Sequence, residues 1–341
     1  MSTKIALITD YLGRFGSKQK SQTYRSGFDI KKSTDFFQKH NCEVKIINFT
    51  NALELLKEKE VYFILYTSSE DKGGHYKSFI EDSIQLLSLS HHICIPEYIF
   101  LRAHNNKVFM EMLRLHYDFP DKNLFKSKFV ATKKEISSLD ITFPSVVKGA
   151  DGALSKNVIK VKDLREVHRF LSSIAPKLKF KYKLREYLRR IRHGNNYVPE
   201  ELKRGKIIIQ NFIPNIKFDW KVLVFNNLLF VLKRQNRKND FRASGSGIYS
   251  YSENVPKNVL DLAWKTRKKL DVPHLSLDIA ESNNQLIIFE FQAIYFGTKT
   301  IENSPFHFVK EDEQWHLKKT EVELEEVYVN STMAFIKNKF L

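Results

Sequence analysis

Over its first hundred residues the chain alternates short β-rich apolar runs with stretches of helical periodicity, and that alternation leaves few folds open to it. The apolar runs are Lys4–Thr9, Val44–Phe49, Val61–Tyr66 and His92–Ile95, the last closed by Pro96. Between them Ser33–His40, Leu53–Lys59 and Tyr76–Leu89 read as helices. In the last of these, Phe79, Ile80, Ile84 and Leu87 recur at helical spacing. Repetition of strand, helix and strand builds a small parallel sheet with helices on its faces. Residues 1–103 are therefore expected to form a Rossmann-like α/β domain. Gly13 and Gly16 follow the first strand without the GxGxxG spacing, so no dinucleotide site is read there.

Further along, 104–118 predicts a helix with Val108, Met112 and Leu115 on one stripe, and 143–162 predicts two strands around a glycine loop. Residues 163–193 read as helical and strongly basic, 206–213 as a strand, 219–234 as a hairpin and 256–270 as a helix. Strands at 274–280 and 285–292 are joined at Glu281–Asn284. Asn226–Asn227 suits a two-residue type I′ turn, because Asn tolerates positive φ. With the turn there, Phe225 opposes Leu228, Lys221 opposes Leu232 and Asp219 opposes Arg234. Opposed residues share a face, so Asp219, Lys221 and Arg234 point one way while Trp220 and Lys233 point the other.

At 341 residues, 42% hydrophobic and 28% charged, the chain has the balance of a soluble protein of two or three domains. Cys42 and Cys94 lie far apart among apolar neighbours and match no metal spacing, which predicts buried, reduced thiols in a cytosolic protein. No apolar run nears the about 20 residues that span a bilayer, and the N-terminus opens directly into a strand. A cytoplasmic location is expected. The net charge of +17 favours anionic partners. No DNA- or RNA-reading module is present, which sets specific nucleic-acid binding aside.

Four segments carry chemistry. In 143–156 a strand bearing Lys148 runs into a loop with Gly149 and Gly152. Glycines let backbone N–H groups cradle phosphate oxygens and the lysine adds a point charge; a plain hairpin turn with a solvated lysine is the alternative. The apolar strand 206–214 ends in Gln210, Asn211, Phe212 and Ile213, suited to an adenine edge and face, or equally to a buried strand stopped by Pro214. The loop 236–248 places Arg242 before Ser244 and Gly245, a bidentate oxyanion donor beside free N–H groups, and loops this long are often functional; a mobile surface loop with solvated charges is the alternative. Asp278, Glu290 and Gln292 sit in apolar strands, and a buried acid must be paired or bind a cation. Their hard oxygens suit Mg²⁺; a salt bridge to a lysine is the other possibility.

The order of these pieces over 104–305 resembles the ATP-grasp fold, closest to the amide-forming ligases that are similar to glutathione synthetase and ribosomal-protein glutamate ligase. There is also a likeness to ATP-grasp proteins that modify bacterial surface polysaccharides. The resemblance implies an α/β (α+β) chain: an N-terminal Rossmann-like pre-ATP-grasp domain (1–103), a linker helix and small subdomain with a glycine-rich flap (104–209), and a large C-terminal subdomain (210–341). It implies ATP and Mg²⁺ as cofactors. Lys107 and Lys148 then resemble the two nucleotide-phosphate lysines, and Gly149, Gly152, Ala153 and Ser155 the flap. Gln210, Asn211, Phe212 and Ile213 resemble the adenine hinge, and Asp219 and Lys221 an Asp-x-Arg element near ribose and phosphate. Lys233 or Arg234 would touch phosphates or acceptor, and Arg242 with Ser244 would hold an acyl phosphate. Asp278, Glu290 and Gln292 resemble the Mg²⁺ set, with Gln replacing the usual Asn. The activity implied is a carboxylate–amine ligase acting on an acidic metabolite, sugar or surface glycan. A small-molecule kinase and a non-enzymatic basic binding protein are the alternatives. The basic block 177–193 is expected either to dock a polyanion or anionic membrane, or to be a solvated helix face.

Overall fold

The computed structural model describes residues 2–17, 27–152, 157–176, 180–237, 240, 243 and 245–341, in two units: Met1–His104 with Asn215–Leu341, and Asn105–Pro214. In the first unit β1 (Thr3–Thr9), β2 (Cys42–Asn48), β3 (Phe63–Tyr66) and β4 (Ile93–Ile95) pair in parallel in the order β2-β1-β3-β4. Ile5–Ile8 of β1 are all fully buried, as a strand covered on both faces requires. The helices α1 (Ile30–Lys39), α2 (His75–Ser88) and α3 (Tyr98–Ala103) accompany this sheet. Asp29 caps α1, accepting from the Lys32 N–H at 3.1 Å. The segment expected as a helix at 53–59 is a 3₁₀ turn over Ala52–Lys57.

The second unit carries α4 (Lys107–His116), α5 (Lys122–Phe125), β5 (Lys128–Thr132), α6 (Lys133–Ser137), β6 (Ser145–Gly149), β7 (Val158–Val161), α7 (Leu164–Ile174), α8 (Phe180–His193) and β8 (Arg204–Asn211). Its strands form an antiparallel sheet in the order β5-β8-β6-β7, and β8 runs through 209 and 210. One face, with Val130, Val147, Val161, Ile207 and Ile209, packs under Ile136 of α6 and Val167 and Leu171 of α7. The basic helical stretch is two helices, not one. Ala175 precedes Pro176 and takes an extended ψ of 141°, which ends α7.

The chain then returns to the first unit with β9 (Phe218–Phe225), β10 (Leu228–Gln235), β11 (Tyr249–Ser250), α9 (Lys257–Leu270), β12 (His274–Ser282) and β13 (Gln285–Gln292). After these come α10 (Lys299–Glu302), β14 (Phe306–Glu311), β15 (Gln314–Lys319) and α11 (Leu324–Phe340). The sheet order is β13-β12-β9-β10-β14-β15, antiparallel throughout, with β11 on β10. The hairpin register is the one expected, but the turn is not type I′. Asn226 takes a φ of 54° while Asn227 stays out of the positive region, and type I′ needs both. The pair with two positive φ values is Asn283–Asn284, at 51° and 61°, between β12 and β13.

Within this unit one core joins the two sheets: Ile5, Leu7 and Phe37 pack in the same cluster as Leu223, Phe225 and Phe230, with Tyr328, Met333 and Ile336 of α11. His274 opens β12 in this apolar setting, its ring 4.8 Å from Tyr328, 5.5 Å from Phe296 and 5.8 Å from Phe225. Burial pushes its pKa down to about 3, only partly opposed by a backbone hydrogen bond at Ala293. The folded protein thus keeps His274 neutral where the unfolded chain binds a proton. Stability associated with this residue is complete above pH 6.5 and is lost as pH falls toward 3, by up to about 1.4 kcal/mol per pH unit. Replacing His274→Phe is expected to flatten the urea-unfolding free energy over that window; an unchanged slope would remove His274 as its source.

Candidate active site

Alternation along a strand and opposition across strands decide which charged side chains meet. In the larger sheet Asp219 of β9 opposes Arg234 of β10 and Ala280 of β12, while Lys221 opposes Asp278. On the next strand Asp278 opposes Glu290, and Ser276 opposes Gln292. Asp219, Lys221, Arg234, Asp278, Glu290 and Gln292 therefore share one face, across four adjacent strands. A bulge follows Asp278, where the register shifts before Ile279.

Four of these side chains are ionised groups taken out of water. Arg234 grips Asp219 with two bonds, Nε to Oδ1 at 2.7 Å and Nη2 to Oδ2 at 2.8 Å. The same Nη2 lies 2.8 Å from Asp278 Oδ2, and Lys221 Nζ lies 2.9 Å from Asp278 Oδ1. Two carboxylates face two cations, so the cluster is neutral as a set. Burial and the Asp278 charge push the Asp219 carboxyl up. Burial acts the same way on Asp278, but Arg234 and Lys221 overcome it and hold Asp278 below the usual carboxylate range. Beside them the half-buried Glu290 accepts from Gln292 Nε2 at 2.7 Å.

Lys233 does not join this group. Its side chain is on the opposite face, with Nζ 4.0 Å from the Phe218 ring centre and 5.2 Å from that of Trp220. Arg237 donates to the Gly245 carbonyl at 2.8 Å across the loop that follows β10. Arg242 and Ser244 lie outside the described residues, as do Ala153 and Ser155 of the flap.

The smaller unit gathers a second set. Lys148 of β6 opposes Ile208 of β8, and Gln210, two residues on, lies on that same face. Lys148 Nζ is 5.8 Å from the Phe125 ring centre. Where β6 leaves the sheet, Lys107 at the start of α4 donates its backbone N–H to Ala150 O at 2.8 Å. The Lys107 ammonium donates to the Gly152 carbonyl. Asn105 accepts the Gly152 N–H at 3.1 Å. The lysine on α4 and the glycine loop are thus one structure. Asn105 is the residue the sequence left unnoticed, although an Asn pair ahead of a helix-opening lysine is a readable capping signal. Gly152 has a φ of 110°, which side-chain-bearing residues rarely adopt. At Gly149 a Cβ would come within 3.1 Å of Asn157 Cβ, a tight contact across the hairpin.

Gln210 is buried and donates to Ser127 Oγ at 3.0 Å, while its Oε1 has no hydrogen-bond partner. Ser127 in turn donates to Glu111 at 2.7 Å. Glu111 also accepts from the fully buried Arg114 at 2.8 Å, and Arg114 donates to Asp121 at 2.7 Å. Gln210 is therefore anchored in a paired ionic network that no sequence motif announced. Asn211 ends β8, with Phe212 and Ile213 just beyond it. The Phe212 ring carries Lys160 Nζ 3.7 Å from its centre, so that face of Phe212 is already covered.

Among solved structures, the D-cycloserine synthetase DcsG aligns over 97% of this chain and 99% of its own, with a TM-score of 0.54 and 10% identity. The RimK domain ATP-grasp protein from Sphaerobacter thermophilus aligns over 96% and 99%, with a TM-score of 0.52 and 10% identity. The ATP-grasp ligase PsnB aligns over 98% and 100%, with a TM-score of 0.50 and 12% identity. The chain has the ATP-grasp fold. No protein-family model matches the sequence, and no curated protein matches it. Among the described residues no three His, Cys, Asp or Glu side chains are placed to hold a metal ion. In this ATP-grasp chain a cation near Asp278 would depend on two carboxylates, an amide oxygen and oxygens brought by a nucleotide, a donor set that fits Mg²⁺.

Removing Arg234 would leave two buried carboxylates with Lys221 alone. Arg234→Leu is expected to cost about 3–5 kcal/mol. Without the guanidinium both carboxyl pKa values rise above their unfolded values. The folded variant then binds more protons than the unfolded chain, and its stability falls as pH rises. Urea unfolding should show a larger loss at pH 8 than at pH 5; an equal or reversed loss would mean the carboxylates are not ionised together.

Proposed function

We propose that the chain is an ATP-dependent, ADP-forming carboxylate–amine ligase that uses Mg²⁺ and acts on an acidic metabolite, sugar or surface polysaccharide. The observation that carries the reading is the buried face of the larger sheet, where Asp278 opposes Glu290 beside the cations Lys221 and Arg234, in a chain with the ATP-grasp fold. The lysine-bearing glycine turn of the smaller unit supports it. A net charge of +17 favours an acidic substrate. Two free, buried cysteines fit a reducing cytoplasm.

The reaction divides into two displacements. A substrate carboxylate oxygen attacks the γ-phosphorus of ATP, the bond to the β,γ-bridging oxygen breaks, and ADP leaves from an acyl phosphate. An amine nitrogen then attacks the acyl carbon, phosphate departs with the C–O electron pair, and the amine gives up its proton to form the amide. No protein nucleophile is required. Lys148 and Lys107 neutralise phosphate oxygens, with Lys107 exchanging the Gly152 carbonyl for a phosphate. Gln210 offers its unpartnered acceptor and Asn211–Ile213 their backbone to the base. Asp219 positions Arg234, which with Lys221 stabilises the anions of substrate and acyl phosphate; Arg242 and Ser244 add donors, whereas Lys233 plays no part from its own face. Glu290, Asp278 and the Gln292 carbonyl would hold Mg²⁺, which when bound neutralises phosphate charge. Asp278 would then have to loosen its contacts with Lys221 and Arg234.

Saturating Mg-ATP, at about a hundred times its Kd, is expected to stabilise the protein by about 2.7 kcal/mol and raise its melting temperature. Lys148→Ala should weaken ATP binding about tenfold or more. Glu290→Ala should abolish turnover while leaving weak ATP binding. ADP release that needs both an acid and an amine marks a ligase, and release with a hydroxyl compound alone marks a kinase. If Mg-ATP leaves the melting temperature unmoved and Lys148→Ala is silent, the chain is a basic binding protein and no enzyme.

A further inference from the structure

Helix α8 is amphipathic, yet its apolar stripe faces solvent. Phe180, Leu184, Tyr187, Leu188 and Ile191 follow the i, i+4, i+7, i+8, i+11 pattern and cover about 100° of the helix circumference. All five are exposed, Phe180 by 78% and Ile191 by 63%. Only Glu186 of this helix is buried, and it lies at the back, where Arg189 binds it at 2.6 Å and the Tyr197 hydroxyl donates to it. A 14-residue helix with no packed face is marginal in water. Among the described residues nothing covers the stripe.

The charges around the stripe point to one cover. At about 100° per residue, Lys183 and Arg190 flank it on one side and Lys181 and Arg192 on the other. The helix's one acid is already neutralised at the back. Cations on both edges of an apolar stripe match a surface that is apolar within and anionic at its rim, with the long side chains reaching outward to the charge. A polyanionic sugar or nucleic acid would take the cations but leave Leu184, Leu188 and Ile191 bare. A second copy of the helix would bring cation against cation on both flanks. The helix is too short to cross a bilayer, which needs about 20 residues, and no helix among the described residues is long and apolar enough to do so.

We propose that α8 is a membrane-docking helix that lies in the interface of an anionic lipid bilayer, with Phe180, Leu184, Tyr187, Leu188 and Ile191 among the acyl chains and its lysines and arginines at the headgroups.

The test uses the full chain in co-sedimentation with phosphatidylcholine vesicles, with and without about 30% phosphatidylserine. Binding is expected only to the anionic vesicles, weakening steeply at high salt. Leu184→Ser with Leu188→Ser and Ile191→Ser, and separately Lys183→Gln with Arg190→Gln, should each weaken partitioning about tenfold or more. These positions are exposed, so both variants should keep the parental melting curve. A Phe180→Trp variant should show a blue shift of fluorescence on the same vesicles. No binding to anionic vesicles overturns the proposal. So does binding retained by the triple serine variant, which would mean a purely electrostatic contact with any polyanion. Concentration-dependent self-association abolished by those serines would overturn it in favour of a second copy.

Discussion

Two buried carboxylates, Asp219 and Asp278, and two largely buried cations, Lys221 and Arg234, meet on one face of the larger sheet, and none is tolerable there without the others. A carboxylate taken out of water costs several kcal/mol unless it is paired and hydrogen-bonded. Arg234 satisfies two carboxylates at once, and Lys221 completes the balance. The strand order β13-β12-β9-β10 makes this possible, because it sets Asp278 between Lys221 on one side and Glu290 on the other. The same arrangement is what makes the face chemically useful. Its cations are bound to carboxylates and its carboxylates to cations, so an anion or a metal ion entering the cluster exchanges partners and need not create charge in an apolar sheet.

The scaffold that holds this cluster is stiff where stiffness matters. The charged residues sit on strands, and farther along the same face Leu223, Phe225 and Phe230 join a core that runs from β1 to α11. A constellation on packed strands keeps its geometry better than one on loops. In the smaller unit the equivalent role falls to the network from Gln210 through Ser127 and Glu111 to Arg114 and Asp121, which is linked by hydrogen bonds and ion pairs along its length. The glycine turn beside Lys148 is held by Lys107 and Asn105 at its base. Each unit thus presents its charged groups from a rigid support.

Helix α8 departs from this pattern. Exposed apolar side chains occur elsewhere, as at Leu12, Leu89 and Val198, but α8 aligns five of them on one stripe and surrounds them with cations. The net charge of +17 is consistent with a chain that approaches acidic surfaces, and α8 is where charge and exposed apolar area coincide.

Local periodicity read much of this protein correctly. The alternation in 1–103 predicted the parallel sheet. The hairpin register over 219–234 followed from counting outward from Asn226–Asn227, even though Asn226 alone takes positive φ and the turn is of another type. Counting by two likewise separated Lys233 from Arg234 and put Glu290 and Gln292 on one side. Such statements depend only on the period of a strand, which neighbouring residues determine among themselves. Which strands lie side by side is another matter. That Asp278 stands between Lys221 and Glu290, that Arg234 reaches both Asp219 and Asp278, and that Gln210 is tied to Arg114 all depend on pairings across 12 to 96 positions of sequence. The stripe on α8 was legible as a pattern, but its exposure was not. Burial is decided by what packs against a residue, and no amount of local periodicity contains that information.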